Sequence, residues 1–193
     1  MGSPDMTTPY VYEQIPSDFG AIGLVWVLGK GDPDPLLRRI LLPLEGVETK
    51  TAIMTLFPGA VERSDAVFAP ISRQIRRFLE GEAVDFSLHA LDLKACGAFQ
   101  QRVLHLEFQI PRGKVSAYGA LAHRLGLPRA GRAVGTALAR NPFPIVIPCH
   151  RAIRGDRTLG GFGGGLKMKR ALLEMEGVGF DRKNRVQKSH FLP

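Results

Sequence analysis

Two adjacent side chains, Cys149 and His150, carry the most legible chemistry in this chain. A thiol attacks as its thiolate. A neighbouring imidazole, directly or through water, and local positive charge lower the pKa that stands in the way. Arg151 follows at once and supplies such a charge. Pro142, Pro144 and Pro148 forbid a helix ahead of the pair, so the sulfur is delivered from a fixed path in which Ile145–Ile147 is expected as a short buried strand. Beyond it lies Gly160-Gly161-Phe162-Gly163-Gly164-Gly165, one aromatic among five glycines. Such a loop offers a wall on which a flat group stacks and backbone groups that a ligand can reach. No Gly-Lys-Ser/Thr closes it, so it is not a phosphate loop of the Walker type. A single cysteine is usually a buried structural residue; the prolines and the glycine loop favour an organised site here.

The elements that must hold this segment come mainly from the second half. Apolar positions 99, 103, 104, 106 and 108 predict a helix over 98–108, ended by Pro111-Arg112-Gly113. Ser116 is expected to cap a helix through Leu125, with Gly126 just past its end. Pro128 is expected in the first turn of another helix, running to about Ala139. This is a helix-turn-helix layout. The second helix is slim, with Ala130, Gly131, Ala133, Gly135 and Ala137 set among Arg129, Arg132 and Arg140. Glycine inside a helix costs about 1 kcal/mol relative to Ala, so the backbone should approach something closely. That partner is another helix or, as the charge favours, a nucleic-acid groove. A last helix is expected from Leu166 to about Glu176.

The first half reads as strands Tyr10–Ile15, Gly20–Leu28 and Leu37–Leu44, with a turn at Gly29-Lys30-Gly31-Asp32-Pro33. A helix follows over Ile71–Leu79, then an extended segment with Phe86, Leu88 and Leu91, and Phe57-Pro58-Gly59 reads as a turn. No catalytic constellation is visible there, and His89 has no partner at ligand spacing. The fold class is therefore an α/β N-terminal domain (residues 1–92) plus a mainly α C-terminal domain (93–180) with a helix-turn-helix, winged-helix-like DNA-binding layout. A basic tail (181–193) reads as a solvated end.

Charge points to the partner. Residues 1–95 hold 9 Lys and Arg against 13 Asp and Glu, whereas residues 96–193 hold 17 against 5. A basic half set in folded sequence fits a polyanion, because Lys and Arg gain affinity by releasing counterions from phosphates. No apolar run reaches the roughly 18 residues that span a bilayer, and the N-terminus has no secretory pattern. Cys96 and Cys149 are the two cysteines, too few for a disulfide scaffold or a paired-cysteine zinc site. The expected state is free thiols, no metal and a cytoplasmic location.

Pro148-Cys149-His150-Arg151 closely resembles the active-site signature of the O6-alkylguanine-DNA alkyltransferases, the methylated-DNA–protein-cysteine methyltransferases. Gly113–Tyr118, Arg132-Ala133-Val134-Gly135, Asn141-Pro142, the glycine loop and Leu172–Gly177 fit that family's order and spacing over about residues 97–178. The resemblance implies single-use transfer of an alkyl group from O6-alkylguanine, and also O4-alkylthymine, in DNA to Cys149, without a cofactor. His150, through a water, would take the thiol proton and Glu176 would orient His150. Tyr118 would protonate the leaving base, and Asn141 would tie the recognition helix to the active-site segment. Arg132 would replace the flipped nucleotide in the duplex. Arg129, Ala130, Gly131, Ser116 and Arg151 would complete the DNA contacts. Ala152, Phe162, Gly163 and Gly164 would line the base pocket. The partner would be double-stranded DNA met from the minor groove, the protein a monomer, nuclear if eukaryotic. Phe162 stands where many members have Tyr, and Gly163 where a side chain is common, which widens the pocket. Three other readings are weaker. A non-transferring alkyltransferase-like binder lacks the reactive cysteine, a cysteine hydrolase leaves the basic helix pair unexplained, and regulator fusions carry extra domains.

Overall fold

Residues alternate between two apolar faces in Tyr10–Ile15 (β1) and Ile22–Val27 (β2), the period that makes a strand with both faces covered. In the computed structural model, which describes residues 10–28, 35–64 and 66–192, these strands pair antiparallel from Tyr10↔Val27 to Ile15↔Ile22. Leu36–Leu41 (β3) joins β2 antiparallel, and Val61–Glu62 (β4) joins β1 in parallel, giving the order β3-β2-β1-β4. The expected turn at 29–33 lies outside the described residues. One sheet face (Tyr12, Val25, Leu41) packs on Ile53 of α1, Thr49–Leu56. The other (Leu24, Trp26, Ile40) shares a cluster with α2, Ala69–Leu79, and with the second half of the chain. Trp26 stacks on Phe68 with ring centroids 4.7 Å apart.

The β3 edge is covered by chain from elsewhere. Leu37 exchanges backbone hydrogen bonds with Ala90 and Asp92, and the Ile40 amide donates to the Pro142 carbonyl at 2.8 Å. This last bond ties the sheet directly to the segment that carries Cys149. The segment around Phe86–Leu91 is irregular rather than a strand, with one bridge to Leu37.

The second half contains α3 (Ala98–Phe108), β5 (Ser116–Ala117), α4 (Tyr118–Arg124), α5 (Gly131–Ala139), β6 (Ala152–Ile153) and α6 (Gly165–Met175). Three expectations are corrected. Ser116 does not cap α4: Ala117 holds the cap position, and Ser116 is a buried strand residue paired with Ala152. Pro128 lies in a turn ahead of α5, which starts at Gly131. The bend closes when the Ala130 amide reaches the Leu127 carbonyl. The tail is not a solvated end. Val186 is fully buried, and Val115 exchanges backbone bonds with His190 and Leu192. The His190 ring donates from Nδ1 to Gly113 O (2.9 Å) and accepts the Gly179 amide at Nε2 (3.0 Å), which pins the tail beside α6.

Candidate active site

Asn141, at the end of α5, organises the approach to the sulfur. Its Oδ1 accepts the Phe143 amide and its Nδ2 donates to Ile147 O, both at 2.9 Å. These bonds close a compact loop, and the Ile147 amide returns to Phe143 O at 2.8 Å. The expected strand at Ile145–Ile147 is therefore a turn. Ile145 sits at φ 76°, an unusual position for a β-branched residue, held because Phe143, Ile145, Val146 and Ile147 are all buried. Cys149 opens a 3-10 turn, Cys149–Arg151, that leads straight into β6.

That turn sends His150 inward. Its ring is fully buried between Phe78 and Phe162, with centroids 6.0 and 6.3 Å away. His150 Nε2 and Glu176 Oε1 are 2.9 Å apart. Nδ1 is buried and meets no protein donor or acceptor. With Nε2–H donating to the carboxylate, Nδ1 carries the lone pair, as a base requires. Burial lowers the His150 pKa, against the pull of Glu176, so the ring is neutral at rest. Burial alone would raise the Glu176 carboxyl; hydrogen bonds and charge from His150 and Arg151 outweigh it and hold it down at about 2.

Arg151 completes this group from the other side. Its Nε and Nη2 reach Glu176 at 2.9 and 2.7 Å, and Nη1 reaches Ile110 O at 2.5 Å. Only 12% of its side chain is exposed. The expectation that Arg151 contacts DNA is corrected, because Glu176 and Ile110 already occupy its guanidinium.

A cavity of about 420 Å³ opens on Cys149, lined by Tyr118, Gly135, Leu138, Ala139, Arg154 and Gly160–Gly163. Its floor is tight at Gly160. This residue has φ 69°, and a Cβ there would lie 2.9 Å from the Tyr118 hydroxyl, so backbone conformation and space both require glycine. A Cβ at Gly163 would meet nothing within 4 Å, and Gly163 also lines a second, apolar cavity that borders Cys149. Burial, with the charges of Glu107 and Cys149, pushes the Tyr118 phenol up to about 12, so it stays a proton donor. Burial also pushes the Cys149 thiol up to about 11, although Asn141 and Lys169 pull it down. Sequence alone favours a lowered thiol pKa; the buried setting reverses that, and the resting sulfur is protonated.

Two pocket assignments shift. Ala152 is fully buried in β6, and its carbonyl accepts Lys169 Nζ at 2.6 Å rather than facing the cavity. Gly164 lies against Met168, Leu42 and the Phe162 ring, behind the cavity wall. Lys169 itself is missing from the sequence reading. It is fully buried, reaches Gly161 O at 3.1 Å as well, and so ties the glycine loop to β6. The spacing signal exists, since Met168, Lys169, Leu172 and Leu173 form the buried stripe of α6, but a lysine on such a stripe reads as a surface residue.

Of the residues expected on DNA, Arg129 and Arg132 are exposed, and so are Ala133 on the outer face of α5 and Arg140 just past its end. Gly131 and Gly135 face inward instead. A Cβ on Gly131 would lie 3.6 Å from Gly119 Cα, and one on Gly135 3.9 Å from Tyr118 Cδ1. These two glycines serve the close packing of α5 on α4, which corrects their assignment to a groove. Ala130 is half-buried in the bend, and buried Ser116 presents nothing to a phosphate.

Comparison with known proteins matches this arrangement. The family profile described as 6-O-methylguanine DNA methyltransferase, DNA binding domain, matches residues 98–178. The methylated-DNA–protein-cysteine methyltransferase of Methanothermobacter thermautotrophicus is 44% identical over 160 residues, covering 83% of this chain and 81% of that protein. The protein of the same name from Mycobacterium tuberculosis is 43% identical over 166 residues, covering 86% and 91%. Among solved structures, the O6-methylguanine methyltransferase of M. tuberculosis superposes with a TM-score of 0.70 at 34% identity, over 86% of this chain and 92% of that one. The same organism's OGT in complex with DNA gives 0.68 at 34% identity, over 86% and 91%.

Proposed function

This chain belongs to the methylated-DNA–protein-cysteine methyltransferase family, and from that premise we propose how its own residues perform the transfer. It is a DNA-binding repair methyltransferase. The observation that carries the residue-level reading is the shared cavity: the Cys149 sulfur and the Tyr118 phenol on its walls, with His150, paired in the interior to Glu176, next to Cys149 in the chain.

The outer face of α5 and its lead-in, with Arg129, Arg132 and Arg140, engages the minor groove of duplex DNA as a monomer. Arg132 enters the stack in place of the extruded nucleotide. Unstacking costs a few kcal/mol, less for an alkylated guanine that pairs poorly. The base enters the cavity against Phe162. The Cys149 proton passes to His150 Nδ1, through a water, while Glu176 holds Nε2–H and balances the imidazolium. The thiolate then attacks the alkyl carbon in line with O6. The C–S bond forms, the C–O bond breaks and its electron pair stays on the guanine. Tyr118 donates its proton to the departing anion, and the proton held by His150 returns through water to restore the phenol. The product thioether has no leaving group that water can displace, so each chain acts once. The reaction takes place in the cytoplasm, or in the nucleus of a eukaryote; among the described residues no helix is long and apolar enough to cross a membrane.

Single-turnover reaction with a duplex carrying O6-methylguanine, followed by peptide mass analysis, tests this reading. The methyl group should appear on Cys149 and the DNA should retain an intact guanine. An excised base, or a methyl on Cys96 or another residue, refutes it.

A further inference from the structure

The cavity that holds Tyr118 has a neighbour on the same reactive segment. A second cavity, of about 190 Å³, shares Leu138, Ala139, Cys149 and Gly163 with it as lining. Beyond that common wall the two diverge. The first runs to Tyr118, Arg154 and the glycine loop, whereas the second runs into the N-terminal half, to Leu42, Leu44, Val47, Ala52 and Leu56. Gly163 sends no side chain across the junction, and a Cβ there would meet nothing within 4 Å.

The second cavity suits apolar contents. Two of its polar lining residues are engaged by the protein itself. Thr49 Oγ1 donates to Ala21 O at 2.7 Å, and both ends of the Asn141 amide are bonded to the loop after α5. The third, Arg39, is half-buried on β3. Leu44, Val47 and Leu56 are 51, 45 and 52% exposed, apolar surface left open around one cavity, which marks a binding region. A tight turn sets two of them side by side: the Val47 amide donates to Leu44 O at 3.1 Å, with Gly46 at φ 73°.

Size and stereochemistry name the occupant. An apolar cavity of about 150 Å³ accepts a benzene ring. In-line attack sets sulfur, carbon and departing oxygen on one axis, so any further atoms of the transferred group project sideways from it. With the guanine in the first cavity, those atoms have the second beside them. A methyl group has no such atoms and leaves it empty.

We propose that the second cavity is a subsite for the distal part of apolar alkyl groups larger than methyl, and that Leu44 and Val47, from the N-terminal half, determine which substituents are accepted. The proposal rests on Cys149 being the alkyl acceptor. Leu44 and Val47 meet the far end of the substituent and not the reacting atoms, so methyl transfer does not depend on them.

The test uses the full chain and two variants. Val47→Trp adds bulk at the mouth of the cavity, and Leu44→Gln keeps the side chain's size and makes it polar. Both positions are exposed, so neither change burdens the core. Second-order, single-turnover rates are measured with duplexes carrying O6-methyl-, O6-ethyl- and O6-butylguanine. Ethyl and butyl groups present the same kind of primary carbon to the sulfur, so their ratio reports the added methylenes. Each methylene withdrawn from water is worth roughly fourfold, so the unsubstituted protein should take butyl at least as fast as ethyl. Both variants should slow butyl transfer by roughly tenfold and leave methyl transfer within about twofold. Unchanged butyl rates in both variants, equal slowing of methyl and butyl in both, or a butyl rate far below the ethyl rate in the unsubstituted protein overturns the subsite and leaves the alkyl-transfer reading standing. Failure of the unsubstituted protein to transfer even methyl overturns both.

Discussion

Replacing Cys149 with Ser should abolish methyl transfer, by at least about a thousandfold, while leaving lesion binding intact. The substitution changes one atom at a half-buried position, and the backbone there is fixed independently of the side chain. Asn141 holds the preceding loop through Phe143 and Ile147, and the turn at Cys149–Arg151 runs directly into β6. What changes is the chemistry. Burial already pushes the thiol up to about 11. An alcohol is a far weaker acid and its oxygen a poorer nucleophile toward an alkyl carbon. The exposed Arg129, Arg132 and Arg140 on and beside α5 are untouched, so affinity for an O6-methylguanine duplex in a gel-shift titration should not fall. Loss of binding in parallel with transfer would mean that the sulfur holds the fold together rather than performing the reaction.

Glu176→Gln should cost about 3 to 5 kcal/mol of stability and slow transfer by roughly a hundredfold. Glu176 is fully buried at its side chain and balances two partners, His150 and Arg151. Glutamine keeps the shape but leaves the Arg151 guanidinium without its counter-charge, the costly way to break a buried pair. It also removes the anion that stabilises an imidazolium on His150. The pH dependence carries a signature. Because the folded carboxyl is depressed to about 2, its contribution is complete above the unfolded carboxylate pKa of about 4.5 and is lost as pH falls from there towards 2. Buried neutral His150 adds to acid unfolding, since only the unfolded chain gains that proton readily as pH falls below about 6.5. Urea unfolding at neutral pH and at acid pH should show the variant already weak at neutrality and less sensitive to acid below about pH 4.5. Equal losses at both would deny the carboxylate its role.

The reactive segment was legible because its residue types are rare in combination. Prolines, a Cys-His pair and a glycine loop constrain a chain in few ways, and the helix over Ala98–Phe108 emerged at its observed bounds from periodicity alone. Local patterns failed where tertiary contacts decide. The helix Thr49–Leu56 has three threonines and an isoleucine, weak helix formers, and is fixed by Ile53 packing beneath the sheet. The Ile145–Ile147 run has strand composition, yet Asn141 folds it into a turn through two side-chain bonds. Arg151 was expected on DNA and Lys169 had no assigned role, but their ends meet Glu176, Ala152 and Gly161 inside the protein. Glycines 131 and 135 left two partners open, and only the position of α4 decides between them. Pairings between residues distant in sequence have no local signal.

In the proposed reaction one sulfur accepts one alkyl group and is then spent. Incubating the protein with a tenfold molar excess of O6-methylguanine duplex, with intact mass and remaining lesion measured together, tests it most directly; a ratio of that size corresponds to a decade in turnover number. The expected result is a single added methyl on Cys149 and lesion loss that stops at one per chain. Continued clearance of lesions beyond that point, or repair without a mass change on the protein, would contradict it.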